Sequence, residues 1–276
     1  MGKSLVAQAL ETIGKRWDKA SLTRNGQIQH TKAFAQFCAV KYGLDRIGGL
    51  KPHMVEAYVN DMRSRGVQDG AIANHLTAVR SLAQAIGKAN IVARDNMAYM
   101  VDRHRMNPVL QQTEKVAEIR EILHVRAAEG DRIAMMMSAA AALRDTFGLR
   151  AKESLMTHKV VNGSLLVEGT KGDRPRSLII RTPEQQRAVE LVRTVAESVG
   201  SQTGRIIPPE LNLLMALNIQ RTQWAQLGGT KDNKAHMHAA RHAYAQRRLS
   251  EGASRKQVAE ELGHGRIEVT GHYSAK

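Results

Sequence analysis
The chain has 276 residues, 42% of them hydrophobic, which is enough for a real core in one large or two modest domains and argues against global disorder. Lys and Arg number 41 against 26 acidic residues, so a formal charge of +15 points to a polyanionic partner, nucleic acid first among them. A single cysteine, Cys38, excludes an internal disulfide and a thiolate metal cluster, and no apolar run approaches the ~20 residues that span a bilayer.

The N-terminal stretch through Trp17 lacks the continuous apolar core of a signal peptide and has room for one short helix, with no separate arm-like domain before the next segment. Ile28, Thr31, Phe34, Ala35, Cys38 and Tyr42 recur at helical spacing up to Gly43, a stop. Pro52 opens the next helix, with Val55, Tyr58, Val59 and Met62 on its apolar face and Gly66 at its end. Asp69 is the expected N-cap of a helix carrying Ile72, Leu76, Val79, Leu82 and Ile86, closed by Gly87. A further short helix is expected over Asn96–Arg105. Residues 1–107 thus read as a helical domain with a basic face.

The segment Met106–Lys115, with Pro108 and weak periodicity, reads as a linker leading into a second domain, 108–276. Helices are expected to about Ala128 and over Arg132–Phe147. The second is apolar almost all round and therefore buried, with its Met135-Met136-Met137 run as core packing. His158–Ile180 is the β region: Asn162-Gly163 joins two apolar runs as a hairpin, Thr170-Lys171-Gly172-Asp173 makes the next turn, and Ser177–Ile180 is a third strand. Thr182-Pro183-Glu184-Gln185 has cap, proline and reciprocal glutamine in the order of a helix start, with Ala188, Leu191, Val192 and Val195 inside. Ser254 and Gln257 repeat that capping arrangement, and Gly263 stops the helix. The fold class is mainly α with a small antiparallel sheet.

Several residues have chemical potential and also ordinary readings. Arg150 and Glu153, three apart, make a local ion pair or hold a guanidinium toward an anion. Lys171 at a turn is solvated or an anion contact. His238 and Arg241 share one helix face, His264 follows the capping Gly263, and Tyr273 lies nine residues beyond.

Taken in order, Gly148-Leu149-Arg150-Ala151-Lys152-Glu153, Thr170-Lys171-Gly172, His238-Ala239-Ala240-Arg241-His242, Leu262-Gly263-His264 and Thr270-Gly271-His272-Tyr273 resemble the tyrosine recombinase and phage integrase family. The resemblance covers residue 116 to the end closely and the first half more loosely, as a helical, SAM-like core-binding domain. It implies that the second domain is a mixed α/β catalytic domain with Arg150, Lys171, His238, Arg241 and His264 as catalytic groups and Tyr273 as the nucleophile. His236 competes with His238, but only His238 has an Arg three residues on; His242 is structural, and Glu153 supports Arg150. The implied activity is site-specific cleavage and rejoining of double-stranded DNA through a 3′-phosphotyrosyl intermediate, in the integration or excision of a mobile element. No cofactor or metal is implied. Self-assembly into a tetramer on DNA, accessory DNA-bending or directionality proteins and a cytoplasmic, nucleoid-associated location complete the expectation. The rivals are a non-catalytic DNA-binding regulator with the same fold and a type IB topoisomerase-like activity. The sequence ends three residues after Tyr273, where family members often carry a longer tail.

Overall fold
The computed structural model describes residues 3–14, 21–102, 111–169 and 175–264. The chain divides into two compact units, Met1–Arg105 and Met106–Lys276. Half of the expected linker, residues 106–110, lies outside the described residues, and Thr113–Lys115 already belong to the first helix of the second unit.

Unit 1 is built from helices α1 (Leu5–Gly14), α2 (Ser21–Tyr42), α3 (Pro52–Ser64) and α4 (Asp69–Ala85). Each buries one stripe. On α4 the buried set Ile72, Ala73, Leu76, Val79, Leu82 and Ala83 recurs every three or four residues. On α3 it is Met54, Val55, Tyr58, Val59 and Met62, behind Pro52 at the first helical position. Burying a Leu or Val in this core is worth roughly 1.5–3 kcal/mol each. The N-terminal helix α1 is part of the same core, through Leu5, Ala9 and Ile13.

Two expectations change here. The residue that caps α4 is Gln68, and Asp69 begins the helix; its carboxylate accepts instead from the backbone N–H of Asp102 at 2.8 Å. The helix expected over Asn96–Arg105 is a single 3-10 turn, Asn96–Tyr99, stopped by Met100 in a left-handed conformation (φ 52°); residues 103–105 lie outside the described set.

Unit 2 is arranged around α6 (Arg132–Phe147), which packs against α5 (Thr113–Ala128), α7 (Ala151–Met156), α8 (Pro183–Ser198) and α10 (Met237–Ser250). Surrounded on so many sides, α6 buries Met136, Met137, Leu143 and Phe147 together with its alanines, as its all-round apolar sequence requires. Asp131 accepts from the N–H groups of Ile133 and Ala134 and so caps it.

Strands β1 (Val160–Val161), β2 (Ser164–Val167) and β3 (Arg176–Ile179) form an antiparallel sheet in the order β1-β2-β3. Asn162 (φ 48°) and Gly163 (φ 70°) make the tight turn between the first two. Leu165 pairs with Leu178 on the buried face, and Val167 pairs with Arg176 on that same face. The reciprocal caps at Thr182/Gln185 and Ser254/Gln257 are both formed, opening α8 and α11 (Arg255–Leu262). Leu191, expected inside α8, lies at its exposed margin. Two helices, α7 and α9 (Leu213–Gln226), have no counterpart among the expected elements. Among the described residues no helix is long and apolar enough to cross a membrane.

Candidate active site
Three chain reversals bring the site together: the end of α6, the start of α10 and the end of α11. Gly148 terminates α6 at φ 65°, and a Cβ there would lie 2.6 Å from Tyr244 Cδ1 and 2.8 Å from Leu262 Cδ2. Both the backbone angle and the close approach of α10 and α11 therefore require glycine. Two residues on, Arg150 caps α7, and its backbone N–H donates to Glu153 Oε2 at 2.9 Å.

Glu153 is fully buried and is the electrostatic centre of the site. It accepts from Arg150 Nη1 at 2.6 Å, and from Arg176 Nη2 and Nη1 at 2.9 and 3.3 Å. Arg241 Nη1 stands 3.9 Å from the same carboxylate. Burial alone would raise the Glu153 pKa; hydrogen bonds and charge from Arg176, then Arg150, outweigh it and hold the group down at about 2. Three guanidiniums around one carboxylate leave a surplus of positive charge. Arg241 and Arg176 are almost wholly enclosed, with 1% and 8% of the side chain exposed, whereas Arg150 is 23% exposed. Arg150 is the one of the three that an incoming anion can reach most readily.

Arg241 lies on α10, one turn after His238. Its Nη1 donates to the Gly148 carbonyl at 2.8 Å, and its Nη2 donates to the Leu262 carbonyl and to His264 Nε2, 3.1 Å away. One fork thus ties the end of α6 to the end of α11. Gly263, left-handed at φ 64°, ends α11, and the His264 N–H closes the turn onto the Ala259 carbonyl at 2.8 Å. Burial, then the charges of Arg241, Arg150, Arg176 and His238, push the His264 pKa down to about 3. The ring is therefore neutral at pH 7. Because Nε2 accepts from Arg241, the ring proton belongs on Nδ1.

His238 keeps part of its surface exposed to solvent. Partial burial comes first in lowering its pKa to about 4, followed by the positive charges of His242, Arg241, His236 and Arg150. It too is neutral at pH 7 and able to accept a proton. His242 packs edge-on against it, ring centroids 5.1 Å apart. His236 is the N-cap residue of α10, outside the helix whose face carries His238 and Arg241.

The structure therefore brings Arg150, His238, Arg241 and His264 together, with Glu153 among them. Lys171 and Tyr273 lie outside the described residues. Tyr244, on α10, is buried and its hydroxyl donates to Glu261 Oε2 at 2.8 Å. Burial and the Glu261 carboxylate raise its pKa, which makes it a poor nucleophile. One residue of the cluster is absent from the sequence-based set, Arg176. The available signal was its strand register: it occupies the same inward face as Leu178, where a charged side chain needs a partner.

Residues 106–247, just over half of the chain, match the family model described as Integrase, and residues 3–92 match that described as Phage integrase, N-terminal. The chain belongs to the integrase family of tyrosine recombinases. It is 23% identical over 277 residues to the tyrosine recombinase XerC of Chlorobaculum parvum, covering 87% of this chain and 81% of that one. Among solved structures, a lambda integrase tetramer bound to a Holliday junction superposes with a TM-score of 0.68 at 13% identity, covering 99% of this chain and 78% of that one. The XerH recombinase in a pre-cleavage complex with its difH substrate gives 0.65 at 15%, with 98% and 81% covered. The Tn1549 transposon integrase in complex with transposon right end DNA gives 0.66 at 14%, with 99% and 95% covered. These structural likenesses establish the fold, a SAM-like helical N-terminal domain followed by a recombinase domain. The protein is a site-specific tyrosine recombinase.

Proposed function
We propose that this recombinase cleaves double-stranded DNA by attack of the Tyr273 hydroxyl on a phosphodiester, forming a 3′-phosphotyrosyl bond while the bond to the 5′ oxygen breaks. The observation that carries the reading is the Arg150–Glu153–Arg241–His264 cluster, a rigid, electropositive receptor. A tyrosine hydroxyl with a pKa near 10 needs a base or such a pocket to attack at neutral pH. His238, kept unprotonated, takes that proton. Arg150 and Arg241 stabilise charge developing on the non-bridging oxygens, and the His264 Nδ1–H adds a donor there. Lys171 delivers a proton to the departing 5′ oxygen. Because the covalent bond conserves the phosphodiester energy, a 5′ hydroxyl reverses the step and rejoins the strand without a nucleotide.

The domain roles follow charge. Of the 41 Lys and Arg residues, 16 precede Met106 against 8 of the 26 acids, so both units are basic. We assign residues 1–107 to a core-binding domain that contacts the duplex and 108–276 to the catalytic domain. The lambda integrase neighbour is a tetramer on DNA and the Tn1549 neighbour a transposon integrase, which supports tetrameric assembly and a mobile-element role in integration or excision, with accessory DNA-bending or directionality proteins. A DNA substrate favours a cytoplasmic location at the nucleoid.

The test is covalent capture from a random-sequence pool of nicked duplexes. The wild-type protein is expected to yield an adduct that survives denaturation, and Tyr273→Phe none, a loss of at least ~10⁴-fold, while binding to the selected duplex persists. An undiminished adduct with Tyr273→Phe would falsify the assignment.

A further inference from the structure
The last carbonyls of a helix have no partner within it and carry its partial negative charge. In α11 they are the ones that set where His264 sits, and two arginines from elsewhere in unit 2 hold them. Arg241 takes the Leu262 carbonyl, and Arg176 Nε takes the Glu261 carbonyl at 2.7 Å. The other edge of the Arg176 guanidinium grips both oxygens of Glu153, the carboxylate that orients Arg150. Gly263 leaves room for this: a Cβ there would come within 3.0 Å of Arg176 Nη1. Arg176 stands on β3, five residues after Lys171 in the chain.

We propose that Arg176 is a positioning residue for strand cleavage: its two-sided fork fixes Arg150, through Glu153, and His264, through the end of α11, in the geometry that receives the phosphate's non-bridging oxygens. Only a planar guanidinium does this. A lysine keeps the charge, but it has one nitrogen and cannot serve a carboxylate and a carbonyl on opposite edges. The inference rests on the catalytic reading above, and the experiment separates the two.

The probe is the duplex selected by covalent capture with the wild-type chain, made in two forms. One has the natural phosphodiester at the cleaved position. The other has a methylphosphonate there, in which a methyl group replaces one charged oxygen, so less charge needs stabilising. Arg176→Met is expected to cleave the phosphodiester ~10²-fold more slowly than wild type at saturating DNA, with Kd within about threefold. On the methylphosphonate its deficit against wild type should shrink to about threefold. Arg176→Lys, which retains the charge and one bond to Glu153, should be about as slow as Arg176→Met on the phosphodiester, and it supplies the test if the Met variant proves too unstable.

An equal deficit on both substrates would reduce Arg176 to a packing role, and full activity in Arg176→Lys would reduce it to a charge; either result overturns the proposal. Tyr273→Phe and Arg150→Ala run alongside. Should they retain phosphodiester cleavage, the catalytic reading itself fails, and this inference with it. Should they lose it while Arg176→Met does not, the inference alone fails.

Discussion

From Leu5 to Val101, unit 1 buries apolar side chains with Thr31 as the polar exception among the described residues, whereas unit 2 buries Arg144, Glu153, Gln185, Gln220 and Arg241 along with its aliphatic core. A core of the first kind is held by area and shape, and substitutions in it cost volume. A core of the second kind carries desolvation penalties that only specific partners offset, so removing one partner strands another. The difference teaches where to look for chemistry. Charge is enclosed where the ends of α6 and α11 meet the start of α10, and a recombinase needs its anion receptor there; the helical unit needs only to present a basic surface.

The comparison breaks most sharply at Arg241 against Leu76. Arg241→Met removes the fork that joins the Gly148 and Leu262 carbonyls and His264, and it should slow cleavage ~10²–10³-fold while costing ~3–5 kcal/mol of stability. Leu76→Ala, at a fully buried position of α4, should cost a similar ~2–5 kcal/mol. Yet at a temperature where both variants remain folded, Leu76→Ala should cleave saturating DNA at the wild-type rate. Single-turnover cleavage combined with denaturant titration reads both quantities. A slowing at Leu76 matching that at Arg241 would show that the division of labour is false.

Acid sharpens the contrast. His238 and His242 have folded-state pKa values near 4 and His264 near 3, all below the ordinary 6.5 because of burial and neighbouring positive charge. A histidine lowered on folding gives stability that is fully present above pH 6.5 and is lost as pH falls toward the folded value. Among its described residues unit 1 has two such rings, His75 near 4 and His30, also lowered by burial, tilted against each other with centroids 4.0 Å apart. Glu153, held near 2, adds loss below about pH 4.5 in unit 2. Unit 2 should therefore weaken more between pH 6.5 and 4. With Trp17→Phe, Trp224 fluorescence reports unit 2 alone, and its unfolding midpoint should drop through that window; His242→Phe should flatten the slope. A midpoint constant across the window would contradict the histidine pKa values.

A smaller effect belongs to the surface of unit 1. Lys41, Arg46 and Lys51 are exposed. Replacing all three with Ala should weaken DNA binding and reduce the log–log salt slope by about 0.9 for each phosphate that is no longer neutralised. Cleavage at saturating DNA should not change. An unaltered slope would mean that this edge of the helical unit does not face the duplex.

The same comparison explains what the sequence reveals. Where one residue type answers one local demand, local pattern suffices: α6 runs Arg132–Phe147 as expected, Asn162-Gly163 turns the hairpin, and Thr182 and Ser254 cap their helices. Where the partner is distant in sequence, local pattern is silent. Asp69 has the placement of a cap, yet its carboxylate serves Asp102, 33 residues away. The helix α9 exposes Leu214 and Met215 and buries Gln220 and Trp224, so its apolar pattern misreports its buried face. Arg176 answers Glu153 and Glu261, 23 and 85 residues off, a pairing that no window along the chain contains. The four site residues in the described segments are legible because their spacings resemble a family's; what holds them in place is not.

Arg144 supplies the finest test, because it is a buried arginine without the role of Arg241. Its side chain is enclosed in unit 2, its guanidinium carbon lies 5.1 Å from the Trp224 ring centroid, and its Nη1 and Nη2 have no hydrogen-bond partner among the described residues. Burial lowers its pKa to about 10, so it stays charged at neutral pH. The cation–π contact is worth ~2 kcal/mol when desolvated, less than the several kcal/mol needed to remove a charge from water. Arg144→Met keeps most of the volume and discards the charge. It should leave stability unchanged or raise it by ~1–4 kcal/mol, with cleavage unaffected, which is the opposite of Arg241→Met. Chemical denaturation of the two variants side by side decides the matter. A destabilisation at Arg144 as large as that at Arg241 would mean that its guanidinium is bound by groups as specific as those around the phosphate receptor.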